Sequence, residues 1–74
     1  MMTNTNQTKL KILRLKKVKD RTGLSRSTIY LRIQEGTFPR PISLGARAVG
    51  WIEHEIEAWL TSCIENRDSR KEVQ

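Results

Sequence analysis

The sequence predicts a mainly α domain with a small β-hairpin, and three observations carry that expectation. Two short stretches with helical spacing flank "TGLS", a glycine followed by a serine. "PISLGARAVGW", residues 41–51, alternates apolar residues on both sides of a glycine-containing turn. Ile52, Ile56, Trp59, Leu60 and Cys63 then recur at i, i+4, i+7, i+8 and i+11, a continuous helical stripe.

The helical elements are bounded by their caps. Leu15, Val18 and Thr22 form one face of a first helix, about Lys16 to Thr22, and Gly23 suits the left-handed position that ends it. "KILRL", 11–15, reads as an extended lead-in that lays Ile12 or Leu13 on the core. Ser25 is a good N-cap for a second helix, about Arg26 to Glu35, which Gly36 ends and Pro39 keeps from restarting. On a helical wheel Ile29 and Ile33 share the inner side, while Ser27, Leu31 and Gln34 lie opposite and Thr28 and Tyr30 flank them. In the hairpin, Gly45-Ala46-Arg47 makes the turn, and Gly50 marks a bulge or a close backbone approach. The last helix is expected over about Glu53 to Glu65, with Glu53, Glu55 and Glu57 where the helix dipole favours acids. Trp51, Trp59 and Cys63 are expected in the core, and His54 in solvent.

A chain of 74 residues holds one domain with a small core and a thin stability margin. Its expected divisions are a disordered tail over 1–9, a folded domain over 10–65 and a polar flexible tail over 66–74. One cysteine excludes an internal disulfide, and Cys63 with His54 is too few ligands for a zinc site, so neither metal nor cofactor is expected. No apolar run is long enough for a membrane span, and "MMTNTNQTK" has no apolar region like that of a signal peptide. A cytoplasmic protein is the reading that follows.

Charge is distributed unevenly. Residues 9–26 hold eight basic side chains against Asp20 alone, whereas residues 52–74 hold six acids against three bases. A basic run of this density suits a polyanionic partner, although it also describes a solvated face that aids solubility.

Two helices joined by a short turn, the second capped by serine and polar on its outer face, make a helix-turn-helix; with the hairpin as a wing and the C-terminal helix after it, the arrangement is a winged helix-turn-helix. That geometry sends the start of the second helix toward base edges of duplex DNA, so Arg26, Ser27, Thr28, Tyr30, Leu31, Arg32 and Gln34 are candidate contacts. Lys16 and Lys17 suit a first helix that crosses the phosphate backbone. Arg47 stands at the wing tip and Arg40 at its base. Several of these residues have a second reading. Arg26 can instead bond the Asp20 region, Tyr30 can pack its ring under the wing, and Arg32 can lay its stem over the core. Leu31 can touch a thymine methyl or be an ordinary exposed leucine.

Residues 14–60 closely resemble the AlpA family of phage and prophage regulators, within the excisionase-like and MerR-like winged helix-turn-helix group. The resemblance rests on "TGLSRSTIY", "EGTFPRPISLG" and "RAVGW…EIEAWL", in that order and spacing. The order Leu31-Arg32 departs from a pattern common in the family, a basic residue followed by an apolar one. The resemblance implies DNA binding and transcriptional control of prophage-linked genes, including integrase or excision genes, in a bacterial, nucleoid-associated setting. Two alternatives share the fold: an excisionase-type factor that bends DNA, and a protein-binding adaptor using the acidic last helix. An integrase or a second copy on DNA are further candidate partners, while a membrane or a small-molecule substrate is not expected. No nucleophile with a histidine base and no glycine-rich phosphate loop is present, so an enzyme is not expected either.

Overall fold

Helices of two or three turns are marginal alone, so their caps and their apolar contacts decide whether they form. The computed structural model describes residues 10–69. The elements are β1 (Ile12–Leu13), α1 (Leu15–Thr22), α2 (Arg26–Glu35), β2 (Ile42–Gly45), β3 (Ala48–Ile52) and α3 (Glu53–Ser69).

The turn between α1 and α2 is held by local chemistry. Gly23 takes the left-handed conformation at φ 75°, and its N–H donates to the Lys19 carbonyl. The Thr22 hydroxyl donates to the Val18 carbonyl at 2.8 Å and accepts the Leu24 N–H at 3.2 Å. Ser25 Oγ then accepts the Thr28 N–H at 3.2 Å, the capping bond the sequence anticipates. At the far end of α2, Gly36 is left-handed at φ 79° and Thr37 N–H reaches the Arg32 carbonyl at 2.9 Å. These are the bonds of a Schellman-type stop.

The sheet is larger than the sequence suggested. The lead-in supplies a third strand, giving the antiparallel order β1-β3-β2. Ile12 lies opposite Ile52 and Leu13 opposite Trp51. The Glu53 N–H, free at the start of α3, donates to the Lys11 carbonyl at 2.8 Å. Gly50 is the close approach anticipated: a Cβ there would meet Ile12 Cγ2, and the Leu13 carbonyl oxygen at 3.2 Å. The irregularity in the ladder falls instead between Ser43 and Gly45.

The core consists of Leu13, Val18, Ile29, Phe38, Trp51 and Ile56, with Leu15, Leu24, Tyr30, Ile33, Trp59 and Leu60 packed around it. Both indoles satisfy their N–H groups on the loop between α2 and β2. Trp51 Nε1 donates to the Pro39 carbonyl at 3.0 Å and Trp59 Nε1 to the Thr37 carbonyl at 2.7 Å. Phe38 meets the Trp59 ring edge-on, with centroids 4.7 Å apart.

Three expectations change. Cys63 is exposed rather than buried, because α3 runs past the end of the core after Leu60. Trp59 is half-buried at the rim, whereas Trp51 is wholly buried. The last helix continues to Ser69, beyond the expected Glu65, since "NRDS" contains no breaker and extending a formed helix costs little. Residues 66–69 of the expected flexible tail are therefore helical; residues 70–74 and the expected disordered tail over 1–9 lie outside the described residues.

Candidate nucleic-acid interface

α2 presents one polar face. Arg26, Ser27, Leu31 and Gln34 are exposed, while Ile29 is fully buried on the opposite side. Leu31 is 53% exposed, so the outermost apolar group of this face stands in solvent. The first N–H groups of a helix have no intrahelical partner. Ser25 satisfies that of Thr28, which leaves those of Arg26 and Ser27 at an exposed helix start suited to an anion.

The flanking side chains are more constrained. Arg26 Cζ lies 5.3 Å from the Tyr30 ring centroid, a cation–π contact. Among the described residues no hydrogen bond or ion pair joins Arg26 to Asp20. Tyr30 is half-buried, and its ring meets Trp51 edge-on at 6.2 Å. The tyrosine thus packs against β3, the inner strand of the wing. The Thr28 hydroxyl accepts from Ser25 Oγ at 3.0 Å, so this residue belongs to the cap as much as to the outer face. Arg32 is half-buried, and its Nε is enclosed without a hydrogen-bond partner.

The other candidates stand on separate elements. Lys16 and Lys17 are exposed in the first turn of α1, Arg40 is exposed in the loop before β2, and Arg47 is exposed in the turn between β2 and β3. No ion pair among the described residues neutralises any of them.

Two basic residues have roles that sequence reasoning did not find. Arg21 Nη1 donates to Glu53 Oε2 at 3.1 Å and Nη2 to Glu57 Oε2 at 3.0 Å, tying the end of α1 to the start of α3. The bonds to Glu57 and then Glu53 raise the Arg21 pKa above its ordinary value. The i, i+4 spacing of Glu53 and Glu57 was visible in the sequence, but not that an arginine would face it. Arg14 Nε donates to the Val49 carbonyl at 3.0 Å, a contact for which the sequence carries no signal.

Among the described residues no group of His, Cys, Asp and Glu could hold a metal ion, and no helix is long and apolar enough to cross a membrane. α2, the first turn of α1, the loop before β2 and the turn between β2 and β3 each expose donors or cations.

The family described as prophage CP4-57 regulatory protein (AlpA) matches residues 11–64. The chain is 42% identical over 62 residues to the DNA-binding transcriptional activator AlpA of Escherichia coli (strain K12), covering 76% of this chain and 89% of the relative. It is 43% identical over 60 residues to the uncharacterized protein ORF88 of Enterobacteria phage P4, covering 81% of this chain and 68% of that protein.

Proposed function

The chain belongs to the AlpA family of prophage regulatory proteins, and on that footing we propose that it binds duplex DNA sequence-specifically and regulates transcription inside the bacterial cell. The family is one of regulators, not of enzymes. The observation that carries the reading is α2 itself: a serine-capped helix whose exposed side offers Arg26, Ser27, Leu31 and Gln34. A helix of this kind fits the major groove with its first residues at base edges. Lys16 and Lys17 supply phosphate contacts from α1, and Arg40 and Arg47 extend them along the wing side. Thr28, Tyr30 and Arg32 act mainly by fixing the helix and its neighbours, with the Tyr30 hydroxyl and the Arg32 guanidinium left for phosphate. The regulated genes on this reading are prophage genes of integration or excision, and an integrase or a second copy on adjacent DNA are the partners it allows.

Footprinting on prophage DNA tests this. Protection of one or two sites upstream of a gene is the expected result. Phased repeats protected inside an attachment site would assign the chain to excision instead. Roughly four to six phosphate contacts from one small domain predict a log–log salt slope of about −4 to −5. A slope near zero, or no binding to any prophage fragment, removes the DNA reading.

A further inference from the structure

Arg14 belongs to no regular element. It is the single residue between β1, which ends at Leu13, and α1, which begins at Leu15. Its carbonyl accepts the Val18 N–H at 3.1 Å, the first bond of α1. Its side chain reaches 35 residues along the chain, where Nε donates to the Val49 carbonyl at 3.0 Å. Val49 lies on β3 past Trp51, beyond the last residue of β1 that pairs with that strand, and close to the turn that carries Arg47. The guanidinium therefore continues the β1 side of the sheet where the strand itself stops.

The bond uses only one nitrogen. Val49 offers a neutral carbonyl, so the charge of Arg14 is uncompensated, and among the described residues its two terminal nitrogens have no hydrogen-bond or ion-pair partner. Arg14 is exposed. A planar guanidinium held at Nε presents its terminal nitrogens as a rigid fork, the geometry that matches two phosphate oxygens. Lysine keeps the charge but lacks the planar fork that fixes one nitrogen on a carbonyl while offering two others to a phosphate.

We propose that Arg14 is a further DNA-contacting residue and the positioning residue of the wing. Its terminal nitrogens take a backbone phosphate while its Nε–H holds β3 through Val49. Phosphate binding at the base of α1 and the placement of Arg47 at the wing tip are then one coupled event. This rests on the DNA-binding reading above.

The test is a set of salt-dependent titrations on one preferred duplex, using wild type, Arg14→Gln, Arg14→Lys, Arg47→Ala and the double variant Arg14→Gln/Arg47→Ala, each checked first by a thermal melt. Arg14→Gln should make the salt slope shallower by about 0.9, one phosphate's worth. Arg14→Lys should keep the slope, since the charge stays, yet bind more weakly. Arg47→Ala should weaken binding by a factor at least about threefold smaller in the Arg14→Gln background than in wild type, the mark of coupled sites. An unchanged slope in Arg14→Gln overturns the phosphate contact, and losses that simply multiply overturn the positioning role. Should Arg14→Gln fail to fold, Arg14→Lys paired with Arg47→Ala runs the same coupling test. Wild-type binding is the control: if wild type binds with its salt dependence and the Arg14 variants match it, only this inference falls; if wild type does not bind, both readings fall.

Discussion

The guanidinium of Arg26 sits over the ring of Tyr30, 5.3 Å from its centroid. Tyr30 in turn meets Trp51 edge-on, so the first side chain of α2 is braced, through one ring, on the buried tryptophan of β3. An arginine held this way loses less freedom on meeting a base than one waving in solvent.

Tyr30→Leu should therefore act twice. It removes an aromatic pair and a cation–π contact, which together are worth about 1–2 kcal/mol of stability. It should also lower site preference, because Arg26 loses its support. Tyr30→Phe keeps both ring contacts and should match wild type in thermal stability and in preference. A Tyr30→Leu variant with wild-type preference would show that the brace does not matter to recognition.

Arg21 is expected to behave differently from the lysines around it. It faces Glu53 and Glu57 and is already paired, whereas Lys16 and Lys17 have no acidic partner among the described residues. Lys16→Ala and Lys17→Ala should each make the salt slope of DNA binding shallower by about 0.9. Arg21→Met should leave it unchanged. The pH dependence has a definite sign. The Arg21 pKa is raised in the folded state, so its contribution to stability is fully present below its ordinary value and lost only as pH rises past the folded value. The stability difference between wild type and Arg21→Met should thus be flat across neutral pH as far as this arginine's own titration is concerned, and should shrink with added salt. Melts at several pH values and two salt concentrations check both statements.

Gly50 cannot accept a side chain cheaply. A Cβ would meet Ile12 Cγ2, the Leu13 carbonyl oxygen at 3.2 Å and Leu44 Cδ1 at 3.1 Å. Leu44 can swing aside, but the Leu13 carbonyl is backbone of the paired strand β1. Gly50→Ala should cost about 1–3 kcal/mol, the usual range for overpacking. Urea denaturation at unchanged m-value is the measurement, and a wild-type midpoint would mean that β1 does not lie against β3.

The two tryptophans should separate by burial. Trp51→Ala empties the centre of the core and should cost about 3–5 kcal/mol, enough to unfold a domain this small. Trp59→Ala removes a half-buried ring and should cost less. Trp59→Phe keeps most of the packing and loses the bond to the Thr37 carbonyl, about 0.5–1.5 kcal/mol. Equal losses for the two alanine variants, by calorimetry, would contradict this division of the core.

Local chemistry was legible in the sequence and distant pairing was not. Gly23, Ser25 and Gly36 announce their roles because a cap involves only residues a few places away. The bounds of α2 follow from them, and so does the face that bears Ser27, Leu31 and Gln34. The extended lead-in that lays Leu13 on the core was readable, but its pairing with β3 was not, because its partner Trp51 is far along the chain. Phe38 was missed as a core residue for the same reason, being one apolar residue in a loop. The stripe on α3 gave the right face but not its length: periodicity says which way Cys63 points, not that the body ends before it. Arg21 and Arg14 looked alike in the basic run, yet one is bound to acids and the other to a carbonyl of the wing.

The helix beginning at Arg26 is expected to select the DNA site while the wing contributes affinity. The decisive measurement is a competition titration on preferred and random duplexes at two salt concentrations. Arg26→Ala or Ser27→Ala should weaken the preferred site more than random DNA; for Arg26, a guanine-type contact makes the loss about 1–3 kcal/mol of discrimination. Arg47→Ala should weaken both duplexes about equally and make the salt slope shallower by about one unit. Loss of preference in Arg47→Ala, with wild-type preference in folded Arg26→Ala and Ser27→Ala, would make the wing the selecting element and contradict the assignment of α2.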